Sequence, residues 1–155
     1  MGLFGTKIKL LAPFTGKSLD ITEVKDETFS QKFLGDGIAV DPKEEIVVAP
    51  ASGKIIQVFK TKHAFLMTSQ GLELLVHIGM NTVEMKGEGF EYFVNDGDMV
   101  EAGQKVAKIN LDLIHKKGYN LETPIVITNM DVVKKMDKNF GDVVAGKDVV
   151  MTIKI

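Results

Sequence analysis

Two of the chain's three histidines stand at the ends of one apolar stretch, KHAFLMTSQGLELLVHIG, where both rings could act on one small ligand. Two short apolar runs flank residues 69–71, which favours a β-hairpin with a three-residue loop closed by Gly71 in the left-handed conformation. In that register His63 lies opposite His77, and facing residues on antiparallel strands have Cβ atoms roughly 5 Å apart. A two-residue loop would instead put the histidines on opposite faces of the hairpin.

The same register divides the hairpin into two faces. The apolar face predicted to meet the core consists of Leu72, Leu74, Val76 and Ile78. The other face would carry both histidines together with Thr61, Phe65, Met67, Glu73 and Leu75. We therefore expect a shallow apolar cup, open to solvent, which would suit a group transfer that must avoid water or the docking of another protein. The ordinary alternative is two histidines packed in the second layer of a sandwich.

A pair of imidazoles supports two kinds of chemistry. Neutral imidazole is a nucleophile near pH 7 and can carry a phosphoryl group covalently, while a second ring donates a hydrogen bond where charge develops. The hydroxyl of Thr61, two residues before His63, could orient that ring or bind a phosphate oxygen. Zinc binding is the other possibility, but it needs a third ligand, and none lies close in sequence. His115 lies in a short amphipathic segment that favours a surface position.

Short runs rich in Val and Ile recur along the chain and are separated by Gly, Pro, Asn and Asp. They cover residues 46–49, 54–59, 64–68, 72–78, 105–109, 124–128 and 148–155. This pattern predicts an all-β fold, an antiparallel β-sandwich of the barrel-sandwich hybrid kind, with a few very short helices. The helical patterns cover 81–86, 111–117 and 130–136. We expect one domain over residues 1–155, with residues 1–6 as a short tail.

Two sequence elements occur twice. LAPFTGKSLDI (11–21) is similar to VAPASGKIIQV (48–58), and NDGDMVEAGQKVAKI (95–109) is similar to NFGDVVAGKDVVMTI (139–153). The likeness extends beyond the turn residues that many proteins share. Two copies of each element predict a sandwich with an approximate twofold axis.

Composition narrows the function further. The net charge of -2 argues against non-specific nucleic-acid binding. The chain has no Cys, so thiolate metal sites and cysteine nucleophiles are excluded, and all of its 19 basic residues are Lys. The opening residues do not form a secretory signal and no run is long enough to cross a membrane, so we expect a cytoplasmic protein without membrane insertion. Residues 1–6 match the loose pattern for N-myristoylation.

Residues 63–90, HAFLMTSQGLELLVHIGMNTVEMKGEGF, closely resemble the signature of the glucose-type IIA proteins of the bacterial phosphoenolpyruvate-dependent sugar phosphotransferase system. The resemblance extends over nearly the whole chain. It includes GDGIAVDP (35–42), VVAPASGKI (47–55), GQKV (103–106) and TPIVITNMD (123–131). Asn81 departs from the pattern, because many relatives have Asp there, and the change removes a negative charge beside the site.

The resemblance implies a role for each motif residue. His77 would accept a phosphoryl group from the small carrier HPr, His63 would assist the transfer, and Thr61 would support His63. The acceptor would be a cysteine of a IIB domain on another chain, and regulatory targets are also possible. A rim for partner docking is implied at Phe29, Phe33, Leu34, Phe59, Leu75, Asn81 and Val83. No metal or cofactor is required, although His63 and His77 could bind zinc together with a partner's carboxylate.

Two other functions compete with this interpretation. Strand pairs such as VVAPASGKIIQV and GDMVEAGQKV are similar to those of biotinyl and lipoyl carrier modules, and EMKG (84–87) would then offer Lys86 for modification. In such modules, however, the lysine follows the GQ strand, whereas Lys86 precedes it. Duplicated sandwiches also host two-histidine zinc hydrolases, which need a third ligand and a general base.

Overall fold

The computed structural model describes residues 5–155, so residues 1–4, with most of the predicted tail and the myristoylation pattern, lie outside the described part. Within these residues, fourteen short strands follow one another. The first seven are β1 (Lys7–Leu11), β2 (Gly16–Asp20), β3 (Asp36–Pro42), β4 (Ile46–Val48), β5 (Gly53–Val58), β6 (Ala64–Ser69) and β7 (Leu72–His77). The others are β8 (Phe90–Tyr92), β9 (Met99–Val100), β10 (Lys105–Ile109), β11 (Thr123–Ile127), β12 (Lys135–Lys138), β13 (Gly141–Val143) and β14 (Val149–Lys154).

The helices are all brief. In the described part of the chain two are α-helical, α1 (Glu27–Ser30) and α2 (Leu111–Lys116). Three more are single 3-10 turns at Ile21–Glu23, Thr82–Met85 and Met130–Val132. The predicted helix over 111–117 is therefore present, with the Asn110 side chain accepting the Leu113 N–H at its start. The helix predicted over 130–136 is wrong in its second half, because the chain there enters β12 and pairs with β14.

The strands form one large sheet and two small ones, and their pairings are antiparallel. The large sheet has the order β13-β2-β3-β11-β7-β6-β5-β9, and the small sheets have the orders β1-β14-β12 and β4-β10-β8. Alternate residues of these strands, such as Leu10, Ile55, Phe65 and Ile153, meet in one apolar core, and Phe14 joins it from the turn between β1 and β2. The prediction of an antiparallel all-β sandwich with a few short helices is confirmed.

The internal repeat is visible in the backbone hydrogen bonds. The Leu11 N–H donates to the Pro50 carbonyl and the Val48 N–H donates to the Pro13 carbonyl, which are matching positions of the two copies. The second repeated element behaves likewise, since Gly103 donates to Ala49 and Gly146 donates to Ala12. Each bond has its counterpart after exchange of the copies, as the predicted twofold arrangement requires.

A second apolar cluster lies outside the main core and packs on one face of the large sheet. Its buried members are Ile21, Val24, Phe29, Ala39, Ala64, Leu75, Met80 and Val126. The cluster forms because the chain leaves the sheet after β2 and returns at β3, and this excursion, residues 21–35, folds back over the sheet. We refer to it as the 21–35 segment. Across residues 5–155, no helix is long and apolar enough to cross a membrane.

Candidate functional site

The hairpin that carries the histidines has a different register from the predicted one. Ser69 pairs with Leu72 and Ala64 pairs with His77, so the loop is the two-residue turn Gln70-Gly71. Both loop residues have positive φ, at 51° and 93°, as a type I′ turn requires. The prediction of a three-residue loop is therefore wrong. So is the prediction that Phe65 and Met67 share the histidine face, because both side chains lie in the main core.

His63 nevertheless meets His77, because it lies just before β6 and is not bound by the alternation of the strand. Lys62, immediately before it, adopts the left-handed conformation with φ 62°. The Phe59 N–H donates to the Ala64 carbonyl, and the His63 carbonyl accepts from the Ile78 N–H at 2.6 Å. This tight turn changes the direction of the chain at His63 and turns its ring toward the face that carries His77, Leu75 and Leu66.

The two imidazoles are in contact. Their ring centroids are 4.8 Å apart and their planes meet at 81°, an edge-to-face arrangement. His77 is half-buried, whereas only 6% of His63 is exposed. The shallow cup expected to open both rings to solvent therefore forms only at His77. His77 reaches the surface and His63 lies behind it, with the ring of Phe59 edge-on at 5.6 Å.

One ring nitrogen of His77 is assigned by its partner. Nδ1 lies 2.7 Å from the carbonyl oxygen of Gly79, which can only accept, so Nδ1 must carry the hydrogen. In the neutral ring the lone pair is then on Nε2. Gly79 has φ 78°, and a Cβ there would lie 2.7 Å from the side chain of Thr82 and 2.8 Å from the Asn120 carbonyl. Glycine is therefore needed to present this carbonyl to His77.

His63 has a side-chain partner instead. The hydroxyl of Thr61, which the sequence predicts to orient this ring, lies 2.6 Å from Nδ1 of His63. A hydroxyl can donate or accept, and the hydrogen bond itself is compatible with either neutral tautomer. Nδ1 is thus occupied in both histidines, and Nε2 is the nitrogen left on each ring for other chemistry.

Both rings are held neutral at pH 7. Burial lowers the pKa of His63 to about 4, with a further contribution from the neighbouring His77. Burial also lowers the pKa of His77, although the Gly79 hydrogen bond and the negative charge of Asp26 oppose the shift. A neutral imidazole with a free lone pair is the nucleophilic form of histidine.

These pKa shifts predict a loss of stability on mild acidification. An unfolded histidine binds its proton near pH 6.5 but folded His63 does so only near pH 4, so the unfolded state holds more protons between these values. The stabilisation is complete above pH 6.5 and is lost as the pH falls towards 4, with a slope for one histidine of up to about 1.4 kcal/mol per pH unit. Urea unfolding at a series of pH values measures the slope, and the His63→Gln variant should reduce it. An unchanged slope in that variant would contradict the assignment.

The residue pattern did not predict α1, although the resemblance named Phe29 as a rim residue. Phe29, in this helix, packs on His77 with ring centroids 4.9 Å apart, and Asp26 begins the helix by accepting the Thr28 N–H. A helix of four residues has no periodicity to detect, so the one available signal was Asp26 as an N-cap before the short run ETFS. The 21–35 segment thus adds both an aromatic wall and a negative charge to the site.

The predicted rim residues fall into two groups. Phe29 and Leu75 are buried in the second apolar cluster, and Phe59 is half-buried beside it. The exposed members are Phe33, Leu34, Asn81 and Val83, and Phe33 is 73% exposed. Phe33 and Leu34 follow α1 directly, and Asn81 and Val83 belong to the turn after His77. His115 lies exposed on α2.

Comparison with known proteins identifies the family. A model of the family described as "phosphoenolpyruvate-dependent sugar phosphotransferase system, EIIA 1" matches residues 8–133, most of the chain. The chain belongs to this EIIA family. The EIIA chain is 45% identical over 148 residues to the "PTS system glucose-specific EIIA component" of Halalkalibacterium halodurans, covering 94% of this chain and 86% of that one. It is 43% identical to the protein of that name from Haemophilus influenzae, with 98% and 96% covered.

The fold of the EIIA chain also matches a solved structure. "Glucose permease IIA from Mycoplasma capricolum" superposes with a TM-score of 0.91 at 40% identity, covering 98% of this chain and 99% of that one. Sequence and fold therefore agree over nearly the full length. The resemblance to glucose-type IIA proteins is confirmed, and the chain is a component of the sugar phosphotransferase system.

The two competing functions lose support. Lys86 ends the 3-10 turn Thr82–Met85 in the left-handed conformation, rather than standing at the tip of a hairpin as a biotinyl or lipoyl lysine does. Within the described residues 5–155, no group of three or more His, Cys, Asp or Glu is arranged to hold a metal ion. The histidine pair by itself supplies two ligands, fewer than a catalytic zinc takes from its protein.

Proposed function

We propose that this EIIA chain is a phosphocarrier that accepts a phosphoryl group from phospho-HPr on Nε2 of His77. It then passes the group to a cysteine of a IIB domain, which drives sugar uptake with phosphorylation. The observation that carries the proposal is the Gly79 carbonyl on Nδ1 of His77, because it leaves Nε2 of a neutral, half-exposed ring as the nucleophile.

The transfer can proceed without a proton moving on this chain. The Nε2 lone pair attacks phosphorus, the nitrogen–phosphorus bond of the donor histidine breaks, and its electron pair returns to the donor ring. Nδ1 of His77 keeps its hydrogen, and the Gly79 carbonyl stabilises the positive charge that the phosphorylated ring gains. In the second step the cysteine thiolate attacks phosphorus, the bond between phosphorus and Nε2 breaks, and its electron pair returns to His77, which becomes neutral again.

His63 supplies the hydrogen-bond donor in this proposal. If the Thr61 hydroxyl donates to Nδ1 of His63, the ring hydrogen resides on Nε2. Because the ring centroids of His63 and His77 are 4.8 Å apart, the ring that carries this N–H is beside the phosphoryl group on His77. Because His63 is buried and its pKa is low, it stays neutral and donates without competing as a base.

The proposed tautomer makes Thr61→Val informative. Valine keeps the shape of threonine but removes the donor to Nδ1, so His63 loses its preference for the hydrogen on Nε2. We expect phosphoryl transfer from His77 to the IIB cysteine to slow by on the order of tenfold to a hundredfold, with the fold retained. Nitrogen NMR of the His63 ring measures the tautomer and a rapid-quench assay measures the rate. Thr61→Ser should restore both, and an unchanged tautomer in Thr61→Val would contradict the role.

A direct test is to phosphorylate the chain with phospho-HPr and map the acid-labile phosphoramidate by peptide. We expect it on the peptide that contains His77, and a phosphate on Ser, Thr or His115 would overturn the proposal. The partner surface in this proposal is the exposed apolar group of Phe33, Leu34 and Val83 around the half-buried ring. Asn81, also exposed there, contributes no charge to partner binding.

The phosphocarrier function requires no metal or cofactor and we assign it to the cytoplasm, where carriers exchange phosphoryl groups. A zinc ion could use Nε2 of His63 and of His77 only if another protein supplied further ligands, such as a carboxylate. Such a complex would block Nε2 of His77 and so would be regulatory rather than catalytic.

A further inference from the structure

Lys138, at the end of β12, holds two carboxylates with one ammonium group. Its Nζ lies 2.6 Å from Oδ1 of Asp20 and 2.8 Å from Oδ1 of Asp36. The Lys138 side chain is only 14% exposed, and those of Asp20 and Asp36 are 28% and 22% exposed. Exposed ion pairs contribute little to stability. The cluster of Lys138, Asp20 and Asp36 differs from them because it is largely shielded from water and its single cation contacts two anions.

Both carboxylates have further partners besides Lys138. Oδ2 of Asp20 accepts from the Thr22 hydroxyl at 2.6 Å, and Oδ1 of Asp36 accepts from the Gly37 N–H at 2.8 Å. Nζ of Lys32 lies 3.5 Å from Oδ2 of Asp36. Burial alone would raise the pKa of both aspartates. The hydrogen bonds and charge of Lys138 outweigh it only together with the hydrogen bonds from Thr22 to Asp20 and from Gly37 to Asp36, and both pKa values are lowered. Both groups are therefore carboxylates at neutral pH.

The position of this cluster in the fold is informative. Asp20 is the last residue of β2 and Asp36 the first of β3, so the two carboxylates mark the two ends of the 21–35 segment. Lys138 belongs to the small sheet with β1 and β14, whereas β2 and β3 belong to the large sheet. One ammonium group thus joins both ends of the segment to each other and to the opposite sheet.

The 21–35 segment carries two groups that act on His77. Phe29 packs on the His77 ring, and the charge of Asp26 partly offsets the lowering of that ring's pKa by burial. The segment has little regular structure to hold it, since it contains one 3-10 turn and one four-residue helix. Its position depends on the second apolar cluster and on the anchoring of its ends.

We propose that Lys138 is a positioning residue for the phosphoryl-transfer site: it holds the ends of the 21–35 segment so that Phe29 and Asp26 keep their places beside His77. The inference rests on the proposed function in one respect: the placement of Phe29 and Asp26 affects phosphoryl transfer only if His77 is the phosphoacceptor. The ammonium group of Lys138 is largely buried, and its contacts with Asp20 and Asp36 offset the hydration that it loses. These contacts therefore favour the one arrangement in which the two ends of the 21–35 segment lie side by side.

The test compares Lys138→Met with Lys135→Met by amide hydrogen exchange and by NMR of the His77 ring. Lys135 is a matched control on the same strand, 67% exposed and 3.9 Å from Asp137. In Lys138→Met we expect the amides of Phe29, Ser30 and Gln31 to exchange at least about tenfold faster, while the amides of β11 stay protected. We also expect the His77 ring protons to shift, because Phe29 no longer stays over them. Lys135→Met should show neither change.

Two further variants complete the test. Lys138→Arg keeps a cation that can bridge two carboxylates and should restore both readouts. Asp20→Asn removes only the ion pair between Lys138 and Asp20 and should show a smaller effect of the same kind. This variant decides the test if Lys138→Met does not fold. Unchanged exchange in the 21–35 segment and an unshifted His77 ring, in Lys138→Met or in Asp20→Asn, would overturn the inference. Because no phosphoryl donor is used, these outcomes are independent of whether His77 is the phosphoacceptor.

Discussion

We expect the His77→Gln variant to take up no phosphoryl group from phospho-HPr, so that phosphorylation is lost completely rather than in part. Glutamine preserves much of the size of histidine and has an amide N–H able to bond the Gly79 carbonyl, but it has no lone pair able to attack phosphorus. Incubation with phospho-HPr that carries labelled phosphate, followed by electrophoresis under neutral conditions, measures the label on the chain.

The third histidine supplies the control for this experiment. His115→Gln changes an exposed histidine on α2 and should be phosphorylated at the rate of the unaltered chain. Circular dichroism and the thermal midpoint of His77→Gln establish that the variant is folded. Label that persists on a folded His77→Gln protein would show that another residue, with His63 as the nearest candidate at 4.8 Å, accepts the group.

The second large effect is expected for His63→Gln, which should accept the phosphoryl group and fail to pass it on. We expect the incoming carrier to bring phosphate-stabilising groups of its own, so acceptance should stay within about tenfold of normal. Departure of the group towards a IIB cysteine relies on the donor that His63 offers beside His77, and losing one such donor slows transfer by on the order of 10² to 10³.

A two-stage measurement separates these steps. The chain is first charged with labelled phosphate, then freed of HPr, and the loss of label to a purified IIB domain is followed in time. Thr61→Val should lie between His63→Gln and the unaltered chain, because it disturbs the His63 tautomer without removing the ring. If His63→Gln discharges to IIB at the normal rate, His63 has only a structural role.

Much of the architecture could be predicted from local pattern. The runs at 46–49, 64–68 and 72–78 each became a strand within one residue at either end, because alternation of apolar side chains is a local property that burial of one face enforces. The internal repeat was also legible, since matching turn residues recur at matching positions. The two histidines and Thr61 could be selected as candidates by residue type and spacing alone.

The contact between the histidines was predicted correctly for a wrong reason. The three-residue loop that would pair His63 with His77 does not form, and the rings meet through the turn ending at Lys62. Lys62 is in the left-handed conformation and lies outside the strand. The side chain of His63, which follows it, therefore does not have to lie on the sheet face that strand alternation would assign to it. No pattern over a few residues distinguishes that turn from a continued strand.

The sequence by itself determined the all-β class, the core face of β7 and the residue types of the site, because these follow from side-chain chemistry and local periodicity. Only the tertiary structure decided what surrounds His77. Gly79 lies close in sequence, but Phe29 reaches the ring through the 21–35 segment, and that segment is tied to Lys138 across 118 and 102 residues of chain. Contacts between residues so far apart in the sequence depend on how the sheets pack, and no local sequence pattern predicts them.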